Sequence, residues 1–152
     1  MTAPDRRSFD PQHLSTGVLA LSLLAHWWRP VALMPPVPSR LLGAVLLAGG
    51  VVVARRAATR FLRARTTLDP SGSSAALVTD GPYRRSRNPI YVAYVLVYAG
   101  VACLVDSLWP FPALLLVVLY LDRVVIPREE ARLESTFGAD YRAYRARVRR
   151  WL

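Results

Sequence analysis

Lysine is absent from this chain: all 20 basic residues are arginine. Acidic residues number only 10, so the net charge is +10 and the pI is about 11.0. A single cysteine, Cys103, excludes an internal disulfide framework. Charge of either sign is missing from long stretches. Between Asn88 and Leu121 the only charged residue is Asp106, and between Leu41 and Ala54 there is none. Hydrophobic residues make up 53% of the chain and mean hydropathy is +0.26, which excludes a disordered or collagen-like chain. Apolar and charged residues fall in separate blocks. A soluble domain spreads charge over every surface element, so the pattern predicts an integral membrane protein. At 152 residues the chain reads as one domain, 1–152.

Four apolar segments stand out: Leu14 to Trp28, Leu41 to Ala54, Pro89 to Val105, and Leu108 to Ile126. The second is expected to stay helical to residue 58 and on through Phe61 and Leu62. Each run falls a little short of the ~20 residues of a typical span. Arg40, Arg55 and Arg56 can snorkel to the headgroups, and Trp27, Trp28 and Trp109 suit the interface. The fold class that follows is all-α. It is a membrane bundle of four transmembrane helices (14–28, 41–58, 89–105, 108–126) with a cytoplasmic helical tail, 127–152. Pro30 to Ser39 holds four prolines and reads as a non-helical turn, and Thr66 to Asp80 as a loop. With four spans, both termini share a side with the middle loop. That side carries eighteen arginines, and only Arg29 and Arg40 lie opposite. The positive-inside bias places that side in the cytoplasm of an inner (plasma) membrane. It accounts for the high pI with no nucleic-acid partner. Arg6-Arg7-Ser8-Phe9 has the look of a twin-arginine signal, but no small-residue cleavage site follows, so the first span is expected to be retained.

Two places concentrate chemistry. In Gly81-Pro82-Tyr83-Arg84-Arg85-Ser86-Arg87-Asn88-Pro89-Ile90-Tyr91, Asn88 suits a helix N-cap and Pro89 the first helical position. The third span would start there, with its free N–H groups and Arg87 forming an anion site. Headgroup contact is the plain alternative, favoured for Arg84 and Arg85. The second place is Glu129-Glu130. Ile126, Glu130, Leu133, Phe137, Tyr141, Tyr144 and Val148 recur at steps of three and four, so Glu130 lies on an inward apolar stripe. An inward carboxylate needs a ligand or a partner, with Arg123, Arg128 or Arg132 the nearby candidates. Phe137-Gly138 is expected to bend the tail helix, and Tyr83, Tyr91, Tyr141 and Tyr144 could wall a site for a cation or planar heterocycle. Asp122-Arg123 reads as an ion pair near the end of span four, and Gly49-Gly50 as close helix packing. His13 and His26 lie toward opposite ends of span one, so no metal is expected, and Cys103 reads as packing.

Gly81-Pro82-Tyr83, Arg87-Asn88-Pro89-Ile90-Tyr91, an apolar helical hairpin, Glu129-Glu130-Ala131-Arg132-Leu133, Phe137-Gly138, Tyr141, Tyr144 and Arg147, in this order and spacing, resemble the isoprenylcysteine carboxyl methyltransferase / phospholipid methyltransferase family. The resemblance runs from about Thr66 to Leu152 and implies an integral membrane methyltransferase using S-adenosylmethionine. It implies a cofactor pocket between the last two spans and the tail, drawing on Tyr83, Arg87, Asn88, Pro89, Tyr91, Glu129, Glu130, Tyr141 and Tyr144. Arg87 and Glu130 would be its catalytic pair. Eukaryotic members commonly read Arg-His-Pro, whereas Asn88 here looks like the small bacterial form, and asparagine cannot serve as a general base. The expected partners are the lipid bilayer and a lipophilic or small thiol, carboxylate or amine acceptor. The rival is a non-catalytic four-helix scaffold or small transporter. A transporter would want its key carboxylate inside a span, whereas Asp106 and Asp122 lie at span ends.

Overall fold

In the computed structural model, residues 11–63 and 76–152 are described. They form five α-helices and no strand: α1 (Pro11–Trp28), α2 (Pro36–Arg63), α3 (Pro89–Leu104), α4 (Pro110–Tyr120) and α5 (Ile126–Arg147). A 3-10 turn at Gly81–Arg84 precedes α3, and a turn of π-helix at Leu121–Val125 joins α4 to α5. Arg6, Arg7, the side chain of His13, Arg65 and most of the Thr66–Asp80 loop lie outside the described residues.

Proline sets the starts. Pro36, Pro89 and Pro110 each open a helix, where the missing N–H costs nothing. Pro36 and Pro38 therefore belong to the first turn of α2, and the non-helical stretch expected over Pro30 to Ser39 is shorter than its prolines suggest. The π-turn has the same origin. Pro127 has no N–H for the carbonyl four residues back, and the Ile126 N–H reaches past the usual partner to the Leu121 carbonyl. α4 and α5 thus run on as one helix, Pro110–Arg147, where a span followed by a separate tail is expected from sequence.

α2 and α3 pack antiparallel at backbone distance. A Cβ placed on Gly43 would lie 2.7 Å from the Leu104 nitrogen, one on Gly100 would lie 2.7 Å from the Leu47 nitrogen, and one on Gly50 would lie 2.9 Å from the Ala93 carbonyl oxygen. Only hydrogen fits at these three crossings. Gly49, paired with Gly50 in the sequence reading, faces open space instead. At the far end, the link between α1 and α2 is sewn to the turn between α3 and α4. Asp106, at φ 52°, accepts from the Leu33 and Met34 N–H groups at 3.0 and 3.2 Å. Ser39 Oγ donates to the Cys103 carbonyl, and Trp109 Nε1 donates to the Arg29 carbonyl. Those backbone donors hold the Asp106 carboxyl below the usual carboxylate range. Cys103 is buried, as a packing residue should be.

By length and composition, two helices can cross a membrane: Pro36–Leu62 and Pro110–Arg147. Thr16–Trp28 and Pro89–Leu104 are apolar but shorter. At 1.5 Å per residue the 16 residues of α3 rise only about 24 Å, less than a ~30 Å hydrocarbon core. The four-span bundle expected from sequence therefore stands at two full-length helices and two short ones. Only 17% of the most apolar window of α2 is buried, so its hydrophobic side is turned outward. Leu41 and Val45 on α2, and Leu115, Leu116 and Leu119 on α4, are exposed and suited to lipid.

Candidate functional site

The site assembles where α3 begins, α5 begins and the chain after α5 returns. Phe61 stacks edge-on against Tyr83 at 5.5 Å, which anchors the turn before α3 to the end of α2. Beyond Arg147 the chain leaves the helix at Val148, which is extended at φ −121°, ψ 132°. It lies alongside residues 86–88. The Arg87 N–H donates to the Arg149 carbonyl at 2.9 Å, and the Asn88 amide donates to the Arg150 carbonyl at 2.9 Å. Ser86 Oγ donates to that carbonyl too, and accepts from the Asn88 N–H. Asn88 does sit at the N-cap of α3 with Pro89 first in the helix, but its side chain caps nothing. It holds the returning chain instead.

This return delivers Arg150 to Glu130. The guanidinium grips the carboxylate at both oxygens, Nε to Oε1 at 3.2 Å and Nη2 to Oε2 at 2.9 Å. From the other side, Arg87 Nη2 lies 3.2 Å from Glu130 Oε1, with both side chains only 11% and 10% exposed. The inward stripe is borne out in part, since Leu133 and Phe137 are only half-buried and Val148 lies beyond the helix. Ile126, Glu130, Tyr141 and Tyr144 are all buried. The partners of Glu130 differ from those expected, however. Arg123, Arg128 and Arg132 are replaced by Arg87 and Arg150, which come from other parts of the chain. Sequence also suggests a hollow between Arg87 and Glu130, whereas here they meet directly.

Three contributors escape sequence reasoning: Ser86, Asp122 in this role, and the Arg150-Trp151 pair. Asp122 accepts from Trp151 Nε1 at 2.9 Å and from Arg150 Nη1 at 3.3 Å, and its expected pairing with Arg123 is long, at 3.7 Å. The π-turn holds Asp122 at this junction. A charged residue within an otherwise apolar helix, followed by a proline, is the one signal that could have drawn attention to it.

Glu129 points elsewhere. Its Oε1 accepts a 2.6 Å hydrogen bond from the Tyr91 hydroxyl. Burial pushes its carboxyl above the ordinary range, against the opposing pull of that bond and of Arg132. Tyr144 donates to the Tyr83 carbonyl at 2.8 Å and lies 6.3 Å from the Tyr141 ring. Burial raises the pKa of Tyr83, Tyr141 and Tyr144, so all three stay neutral. Gly138, at φ 51°, ψ −116°, kinks α5, as expected, between Glu130 and the two tyrosines. No group of three or more His, Cys, Asp or Glu capable of holding a metal occurs among the described residues.

The raised Glu129 carboxyl gives a pH prediction. A carboxyl whose folded pKa lies above its unfolded one favours the proton when folded, so stability falls as pH climbs through that raised value. Glu129→Gln does not titrate and can still accept from Tyr91. It is expected to melt like the parent at pH below the ordinary glutamate value and progressively higher than the parent as pH rises. A melting-temperature difference that stays constant with pH would contradict this.

Arg87 has one further property. Its Nε and Nη1 atoms are buried and have no hydrogen-bond partner. A buried guanidinium is a costly place for an unused donor. The site therefore holds two guanidiniums, three carboxylates, spare donors on Arg87 and tyrosine walls. A group carrying a carboxylate and net positive charge complements it.

The family model described as phospholipid methyltransferase matches residues 38–140, a stretch that includes Arg87, Asn88, Glu129 and Glu130 and ends before Arg150. An uncharacterized protein of Haemophilus influenzae is 32% identical over 63 residues, which cover 41% of this chain and the whole of that relative.

Proposed function

The chain belongs to the phospholipid methyltransferase family, and from that premise we propose that it is an integral membrane S-adenosylmethionine-dependent methyltransferase. It crosses the inner membrane four times, with both termini and the site on the cytoplasmic face. Its acceptor is a lipid-like molecule or a small thiol, carboxylate or amine. The observation that carries the cofactor assignment is the pair of buried, unpartnered N–H donors on Arg87 beside Glu130.

The residues fit S-adenosylmethionine. Arg87 would take its carboxylate through the spare donors. Glu130 and Glu129 would accept from its amino group or ribose hydroxyls, and Tyr83, Tyr91, Tyr141 and Tyr144 would wall the adenosyl and sulfonium parts. Asn88 and Pro89 fix the backbone under Arg87. When bound, the cofactor supplies an electrophilic methyl group. The protein's own work is positioning and exclusion of water. Thiolate or carboxylate acceptors need little proton removal. An amine does, and there the desolvated Glu129 is better placed than Glu130, which two guanidiniums already share. Neither Asn88 nor the neutral tyrosines compete for that role.

The test is thermal denaturation of purified protein with S-adenosylmethionine or S-adenosylhomocysteine. A ligand of the native state at 100 times its Kd stabilises by about 2.7 kcal/mol. The parent protein should show such a rise and Arg87→Ala should not. Equal shifts in both would remove the site from Arg87, and no shift in the parent would leave a helical scaffold.

A further inference from the structure

Where the returning chain passes the 3-10 turn lies a shallow concavity, widely open to solvent and about 380 Å³ in volume. It is lined by Arg84 and Arg85 from the end of the 3-10 turn, by Arg147 and Arg149 flanking the end of α5, and by Val148 and Leu152. All four arginines are exposed, and among the described residues none of them meets an Asp or Glu side chain, although Arg149 Nη1 donates to the Leu152 main-chain oxygen at 3.5 Å. Arg147 is occupied in part, since its Nε donates to the Ala143 carbonyl in the last turn of α5. Several arginines elsewhere are paired. Arg60 pairs with Asp80, Arg142 and Arg145 with Glu134, and Arg87 and Arg150 with Glu130. Here four guanidiniums are gathered in one hollow whose lining holds no Asp or Glu side chain.

Guanidiniums present planar forks that suit phosphate oxygens, and an anion in their midst relieves their mutual repulsion. We propose that the Arg84–Arg85–Arg147–Arg149 hollow binds the phosphate of an anionic phospholipid headgroup. A lipid is favoured over a free anion because the lining also carries Val148 and the exposed apolar Leu152. The hollow also sits in a chain with lipid-suited helices. The proposal rests on the membrane reading and not on methyl transfer. The Arg87 N–H to Arg149 carbonyl bond makes the two sites back to back, so a headgroup held here sits at the rim of the candidate active site.

The test uses full-length protein in neutral detergent micelles and follows melting temperature as phosphatidylglycerol, phosphatidylcholine or inorganic phosphate is added. Phosphatidylglycerol should stabilise the parent, and phosphatidylcholine should not. The variant Arg84→Gln/Arg85→Gln should need on the order of tenfold more phosphatidylglycerol for the same shift. The charge-matched Arg142→Gln/Arg145→Gln, which removes two exposed arginines that pair with Glu134 outside the hollow, should behave as the parent. Equal loss in both variants, or no loss in either, would overturn the hollow. Stabilisation by inorganic phosphate at matched concentration would overturn the lipid as occupant. The S-adenosylmethionine shift is a separate readout that Arg84→Gln/Arg85→Gln should retain, so failure of the cofactor reading and failure of this one are told apart.

Discussion

Glu130→Ala is expected to destabilise the protein by about 3–5 kcal/mol and to abolish its response to S-adenosylmethionine. The size follows from what the substitution leaves behind. Glu130 is 7% exposed and is shared by Arg87 and Arg150. Arg87 already carries two unpartnered buried donors, and without Glu130 no carboxylate among the described residues pairs with its charge. An unpaired buried charge costs far more than a missing surface ion pair, where the typical loss is below about 1 kcal/mol. Arg150 suffers less, because Asp122 remains beside it. Glu130→Gln keeps a carbonyl acceptor and should fall between parent and alanine variant in stability. The measurement is denaturant unfolding in detergent, paired with cofactor-induced melting shifts. A cost for Glu130→Ala near that of a surface pair would mean that the Arg87–Glu130–Arg150 cluster is solvated rather than buried.

Gly100→Ala should be strongly damaging for a single-methyl change, at about 1–3 kcal/mol or more. Its new Cβ would stand 2.7 Å from the Leu47 nitrogen and 3.0 Å from both the Gly43 carbonyl oxygen and the Leu47 Cα. All three are backbone atoms, which cannot rotate aside as a side chain can. α2 and α3 would have to separate, and α3 would carry Arg87 away from Glu130. The control is Gly49→Ala, where a Cβ meets nothing within 4 Å. There the gain in helix propensity acts alone, and a stabilisation of about 0.5–1 kcal/mol is expected. Thermal unfolding of the two variants should move in opposite directions. A Gly100→Ala protein as stable as Gly49→Ala would show that α2 and α3 do not approach so closely.

Local pattern and long-range contact were unequally legible. Charge-free runs mark the helices because a hydrocarbon environment tolerates little else. The three-and-four spacing finds Glu130, Tyr141 and Tyr144 because a helix repeats every 3.6 residues. Gly138 announces its kink. Periodicity does not reach further. Asn88 lies in a good N-cap position, yet its amide serves a carbonyl 62 residues away. Glu130 takes one partner 20 residues further along the chain and another from before α3. The residues that return to make these contacts, 148–151, are not helical and carry no helical period, so nothing in their spacing announces the role of Arg150 or Trp151. The start of α2 is missed for a related reason. Prolines read as punctuation, whereas at the first turn they begin a helix as readily as they end one.

The π-turn at Leu121–Val125 amounts to one residue more than the helix needs. An ordinary helix turns about 100° and advances about 1.5 Å with each residue. The surplus residue thus sets the azimuth of everything downstream, turning α5 so that Glu130, and not its neighbour, confronts Arg87. Excising one residue here would leave a smoother rod whose carboxylate looks the wrong way.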